Sequence, residues 1–198
     1  QFNIDRAESV LISGGAIGDA FRIDESNDVQ IRGGDMGDSS LVTDSMVDFS
    51  GGRIGRSLTQ SGGVWTMSGG EIGEGYAVYQ GILNLYGGTI QTGINVHSGS
   101  IVNIYGTSFV IDGVDITSGL IVGESFLVTD RDVLLTGVYA DGAGFSFNLN
   151  GTPHDIPPLA DYFDPNATVT ITLIPEPGTG LLIGTGLLIA ARRRTILS

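Results

Sequence analysis

The stretch VLISGGAI at residues 10–17 decides the fold, because four later segments repeat its pattern. Glycine pairs at 14–15, 33–34, 51–52, 69–70 and 87–88 are spaced 19, 18, 18 and 18 residues apart. Apolar residues stand four and two positions before each pair and two positions after it. In that order, the three apolar columns are Val10, Val29, Val47, Trp65 and Leu83; Ile12, Ile31, Phe49, Met67 and Leu85; and Ile17, Met36, Ile54, Ile72 and Ile90.

Short alternating strands that recur at such a fixed step are typical of a parallel β-solenoid. The glycine pairs turn a corner, which requires a positive φ or a close approach of two backbones. A third strand per repeat is predicted around Phe21 and Ile23, Val42, Leu58, Tyr76 and Val78, and Ile94 and Val96. The predicted fold is therefore all-β: a three-sided solenoid with about 18 residues per coil and apolar columns stacked ~4.8 Å apart. Gln60 interrupts one column.

Two outward columns carry charges. Asp19, Asp38, Arg56 and Glu74 follow the same glycine in successive repeats, and Asp35, Arg53 and Glu71 form a second column. Each column places an arginine between acids of neighbouring coils. Such cross-strand pairs stabilise a sheet, so we expect the arginines to fix the register of the stack.

Three regions are predicted along the chain. Residues 1–130 hold the solenoid repeats, with Gly106 and Gly123 continuing the pattern. Residues 131–173 form a capping β unit: a hairpin over 133–149, a proline-rich loop and a final alternating strand. Residues 174–198 form a separate tail that contains one short hydrophobic helix. A cap is expected because the end of a solenoid exposes an unpaired strand edge.

Composition limits the possible functions. The chain has 198 residues, no cysteine and a net charge of −13. The part before Pro175 holds six arginines against 21 acids, so that nucleic acid and anionic membranes are not expected as partners. The lack of cysteine excludes disulfides and thiolate chemistry. An export signal is expected upstream of Gln1.

The tail has three parts: Pro175-Glu176-Pro177, an apolar stretch over residues 178–191, and the cluster Arg192-Arg193-Arg194. The 14 apolar residues would make a helix of about 21 Å, against a hydrocarbon thickness of about 30 Å. Arginines after the apolar stretch would stay on the cytoplasmic side, leaving the rest of the chain outside.

This three-part tail resembles the PEP-CTERM sorting signal of bacteria. The resemblance implies recognition by exosortase, a membrane-embedded protease, and removal or transfer of the tail at the cell envelope. Pro175, Glu176 and Pro177 would be the sorting motif and Arg192, Arg193 and Arg194 the cytoplasmic stop. The residues that would hold the tail in the membrane are Gly178, Leu181, Leu182, Ile183, Leu187, Leu188, Ile189 and Ala191.

The sequence favours an exported structural or adhesive protein of the cell surface or extracellular matrix, with exopolysaccharide as a possible partner. It is not expected to be an enzyme or to need a cofactor or a metal. A surface carbohydrate-active enzyme is the alternative, because regular acidic columns place carboxylates such as Asp19 and Asp38, or Glu71 and Glu74, at suitable spacings. A permanently anchored membrane protein is a third possibility. His97 and His154 lack partners for a ligand set and are expected to face solvent.

Overall fold

The computed structural model describes residues 2–91, 93–153 and 161–175, which are called the described residues below. In these ranges the chain is almost entirely β and forms a parallel solenoid of about five coils, which confirms the predicted fold class. The short hydrophobic helix predicted for the C-terminus lies outside the described residues.

Two sheets run along the solenoid. In stacking order, the first contains β1 (Asn3–Asp5), β3 (Arg22–Asp24), β5 (Leu41–Thr43), β8 (Thr59–Ser61), β10 (Ala77–Tyr79), β12 (Asn95–Val96) and β18 (Tyr162–Phe163). The second contains β2 (Val10–Ile17), β4 (Val29–Met36), β6 (Met46–Phe49), β7 (Arg53–Ile54), β9 (Val64–Ile72), β11 (Ile82–Ile90), β13 (Ile101–Ile111) and β19 (Thr168–Leu173). The glycine corner divides the third coil into β6 and β7, both of which pair with β9.

The predicted apolar columns are the core of the solenoid. Val10, Val29, Val47, Trp65 and Leu83 are register partners in successive coils. Their side chains are buried except for that of Val10, which is half-buried in the first coil. Because each coil is covered only by its neighbours, burial is complete in the middle of the stack and incomplete at its end.

The glycine corners have the predicted conformation. The second glycine of every pair has a positive φ, between 82° at Gly70 and 108° at Gly34. In the three middle pairs the first glycine approaches the backbone of the coil below: a Cβ at Gly51 would lie 2.6 Å from the carbonyl oxygen of Arg32. Two further corners per coil also contain residues with positive φ, such as Ser39 and Asp44. Three corners per coil are what a three-sided solenoid requires.

Gln60 is accommodated in the core by hydrogen bonds. It lies in register between Val42 and Val78 and is almost fully buried. The hydroxyl of Tyr76 donates to its Oε1 at 2.7 Å, and its Nε2 donates to the carbonyl oxygens of Gly62 and Ile82. A buried amide with these partners avoids most of the cost of an unsatisfied polar group.

An excursion between β13 and β18 interrupts the last coil, and the structure describes its residues 112–153 and 161. It contains β14 (Val114–Asp115), a 3-10 turn at Thr117–Gly119, β15 (Ser125–Leu127), β16 (Leu134–Tyr139) and β17 (Gly144–Asn148). The predicted hairpin is present as the antiparallel pair β16 and β17.

The prediction that the repeat continues past Gly123 is wrong, because β15 pairs antiparallel with β19 at the edge of the sheet. The parallel stack instead resumes after the excursion, where β18 pairs with β12 and β19 with β13.

Candidate functional site

The predicted tail begins directly after β19, which ends at Leu173. This strand is held on one side by β13, with Gly106 opposite Leu173, and on the other by β15. The Ile174 N–H donates to the Gly106 carbonyl at 2.9 Å, and the Gly123 N–H donates to the Leu173 carbonyl at 2.8 Å. Pro175 follows and is exposed. The start of the predicted sorting motif therefore projects from a firmly paired strand.

The other predicted tail residues lie outside the described residues: Glu176, Pro177, Gly178, Leu181, Leu182, Ile183, Leu187, Leu188, Ile189, Ala191, Arg192, Arg193 and Arg194. Their roles stay predictions. Within residues 2–91, 93–153 and 161–175, no helix has the length and apolar character needed to cross a membrane.

The outward charges connect neighbouring coils, as predicted. Arg56 Nη2 lies 3.1 Å from Asp38 Oδ2, and Arg53 Nε lies 3.4 Å from Glu71 Oε1. The Arg56 backbone N–H also donates to Asp38 Oδ1. These bonds hold the pKa of Asp38 below its usual range, because they favour the ionised carboxylate. In the next coil, the Asp38 N–H donates to Asp19 Oδ1. Several of the acids considered for catalysis thus serve as bridges between coils.

The described residues contain no group of three or more histidine, aspartate or glutamate side chains arranged to hold a metal ion. His97 is half-buried, not simply solvent-facing as expected. Its ring stacks on Tyr79 at 4.0 Å between centroids and meets the edge of Tyr162 at 5.8 Å. This burial lowers the pKa of His97, although the nearby charge of Asp164 opposes the effect. His154 lies outside the described residues.

Two charged residues that the sequence did not single out attach the excursion to the solenoid. Asp161 is buried; its Oδ1 accepts the N–H groups of Gly93 and Ile94, and its Oδ2 accepts that of Asn148. Burial raises the pKa of Asp161 and outweighs the three N–H donors, which lower it. Arg131 donates from Nη1 to the Val128 carbonyl at 3.1 Å and from Nη2 to the Ala167 carbonyl at 2.7 Å.

An apolar patch on the excursion was also missed. We define it as Val114, Ile121, Val122, Phe126 and Leu127, whose exposed fractions range from 49% to 64%. Val114, Phe126 and Leu127 line a cavity of about 440 Å³ that Ile111 and Leu120 also line. The run LIVGESFLV at residues 120–128 was the available signal, but its resemblance to the Gly106 segment suggested another buried coil.

On the second sheet, outward side chains of neighbouring coils also form a row of hydrogen bonds and an aromatic stack. Asn103 Nδ2 donates to Asn84 Oδ1 at 2.8 Å, and the Thr170 hydroxyl donates to Asn103 Oδ1 at 2.7 Å. Tyr86 and Tyr105 stack nearly parallel with their ring centroids 4.0 Å apart. Burial, together with a hydrogen bond to Tyr105, raises the pKa of Tyr86 to about 12.

Comparisons with known proteins identify the tail. Neither the curated proteins nor the solved structures include a match to this chain. Residues 173–194 match the family model described as the PEP-CTERM protein-sorting motif, in agreement with the predicted resemblance. Such a motif indicates sorting by exosortase to the cell surface. The chain thus combines a β-solenoid with a C-terminal segment that matches the PEP-CTERM sorting motif.

Proposed function

We propose that this chain is an exported structural or adhesive component of the cell surface or extracellular matrix, not an enzyme. The observation that carries the proposal is the use of outward polar side chains as contacts between coils. Asp38, Glu71 and Asn103 each bond to a side chain of an adjacent coil. A stack reinforced in this way is a rigid, highly charged rod, which suits a structural role.

Exopolysaccharide is the partner that the surface favours. The stacked Tyr86 and Tyr105 are half-buried, so that each ring presents part of its outer surface, and Asn84 and Asn103 lie two residues before them on the same face. Aromatic rings with adjacent amides supply both an apolar contact and hydrogen bonds, which a sugar chain can use together.

The tail is proposed to act in sorting alone. Pro175, Glu176 and Pro177 would be recognised by exosortase, residues 178–191 would hold the chain transiently in the inner membrane, and Arg192–Arg194 would fix its orientation. The intact mass of the exported protein tests this proposal. We expect the mature chain to lack Arg192–Arg194, and their retention would favour a permanently anchored protein.

The alternative, a carbohydrate-active enzyme, has one specific observation in its favour. Asp38, Arg56 and Glu74 line a shared groove of about 270 Å³, so that two carboxylates and a guanidinium face one space. Incubation with uronate-containing polysaccharides, with and without calcium, distinguishes the two functions. Binding without product supports the structural role, and binding should weaken in a Tyr86→Ala/Tyr105→Ala variant. Turnover that Glu74→Gln abolishes would establish the enzyme instead.

A further inference from the structure

The apolar patch is unusual because it brings several exposed apolar side chains together in one short part of the chain. Residues 114–127 expose five large apolar side chains, whereas those exposed in the coils, such as Leu11, Met46 and Tyr79, stand at separate positions. Contiguous exposed apolar surface of this kind marks a site of interaction. The cavity between Val114, Leu120 and Phe126 gives the patch a concave centre that can receive a side chain or a turn of helix.

The patch lies beside the point where the tail begins. Gly123, which follows Ile121 and Val122, donates its N–H to the Leu173 carbonyl. Only residues 174–177 separate this point from the apolar stretch, and four residues span at most about 14 Å. The Pro177-Gly178 pair is a turn signal. A reversal there would direct the stretch back along β15, which runs antiparallel to β19 with Phe126 opposite Ile171.

The chemistry of the tail complements that of the patch. Residues 178–191 carry no charge and contain six leucine and isoleucine residues, and three arginines follow them. Asp130 lines the same cavity, and the excursion exposes four further acids near the patch in sequence: Asp112, Asp115, Glu124 and Asp132. An anionic lipid surface would be repelled by the same acids, whereas the terminal arginines would be attracted to them.

We propose that, before the chain reaches the membrane, residues 178–191 bind the apolar patch of the same molecule, with Arg192–Arg194 facing the acids of the excursion. The contact covers two apolar surfaces at once and keeps the chain soluble until the tail enters lipid. The inference needs only the patch, the tail and their proximity, so it does not depend on the proposed structural or adhesive function.

The absence of cysteine allows a direct test on the full-length chain. Val114→Cys combined with Leu182→Cys introduces one thiol in the patch and one in the tail. The variant is oxidised in dilute solution without lipid or detergent, and disulfide formation is followed by non-reducing electrophoresis and intact mass. The same pair is then studied with Leu127→Asp in the patch, and separately with Leu11→Asp on β2 as the matched control. Leu127 and Leu11 are 52% and 57% exposed.

We expect rapid disulfide formation within one chain. Leu127→Asp should slow it by about tenfold or more, because it removes the docked state that raises the effective concentration of the thiols. Leu11→Asp should leave the rate unchanged, and hydrogen exchange of β19 verifies that each variant is folded. Equal rates in all three backgrounds would refute docking. Disulfides between two chains would assign the patch to a second copy, and protection of the thiols only by anionic vesicles would assign it to a membrane; each result overturns the proposal.

Discussion

The coils at residues 10–111 and the excursion that follows them differ in strand pairing and in the burial of apolar side chains. In the coils every strand pairs in parallel with a copy of itself, apolar residues form buried columns, and glycine corners recur at a fixed step. In the part of the excursion that the structure describes, the strands pair antiparallel and large apolar side chains reach solvent.

This contrast shows what repetition provides. The backbone of a repeated coil forms its hydrogen bonds with the coil below, and its apolar side chains are buried against that coil. The same sequence pattern therefore produces the same packing in every coil. The excursion has to be held by particular side chains, of which Asp161 and Arg131 are the clearest examples. Substitutions should therefore act on the whole stack in the coils but locally in the excursion.

The largest effect is expected from a matched pair of phenylalanines. Phe49 is fully buried against Trp65, whereas Phe126 is 49% exposed. Phe49→Ala should lower the free energy of unfolding by about 4 kcal/mol, because it leaves a cavity in the centre of the stack. Phe126→Ala should change it by no more than about 0.5 kcal/mol. Chemical denaturation measures both, and similar losses would show that the two regions are not distinct.

The glycine corners provide the next comparison. Gly52 and Gly142 have nearly the same φ, 92° and 90°, but a Cβ at Gly52 would lie 2.6 Å from the Gly34 carbonyl oxygen, while one at Gly142 meets nothing within 4 Å. Gly142→Ala should cost about 1 kcal/mol, for the backbone conformation alone. Gly52→Ala should cost about 3 kcal/mol, because the coils must also move apart. Equal costs in thermal unfolding would mean that close stacking adds nothing.

Arg131 tests whether the excursion can loosen without the stack. Arg131→Ala removes the charge-assisted bonds to the Val128 and Ala167 carbonyls and should destabilise the excursion by about 2 kcal/mol. Hydrogen exchange should then accelerate in β15 and at the start of β19 but not in β9. Arg32→Ala is the control, because the Arg32 guanidinium bonds to the Gln30 side chain within its own coil. Acceleration throughout the solenoid would show that the regions unfold together.

The smallest effect is expected from the protonation of Asp161. Its pKa is raised above 3.8 in the folded state, so the folded protein binds the proton more tightly than the unfolded chain. The contribution of this group to stability is therefore greatest below pH 3.8 and declines as the pH rises through the folded-state pKa. The difference in unfolding free energy between the native chain and Asp161→Asn should become smaller as the pH rises from 3.8 through the folded-state pKa of Asp161. A difference that grows with pH would show that the three N–H donors outweigh burial.

Much of the fold follows from local spacing. The columns headed by Val10, Ile12 and Ile17 predicted the strands, their parallel register and the core, because a strand buries alternate residues and a solenoid repeats them. The sorting motif was predictable for a different reason: residues 173–194 match it as a linear pattern, without reference to the fold. The bridges from Arg53 and Arg56 could be anticipated because they follow the same period.

The amino-acid sequence by itself thus determined the solenoid coil, its period and the sorting motif near the C-terminus. Only the tertiary structure decided that β18 and β19 rejoin the stack after the excursion, that Tyr76 satisfies the buried Gln60, and that an apolar patch adjoins the start of the tail. The physical reason is that these contacts join residues far apart in the chain or involve a residue, such as Gln60, that departs from the repeated apolar pattern. No periodicity encodes such contacts, and packing in three dimensions selects them.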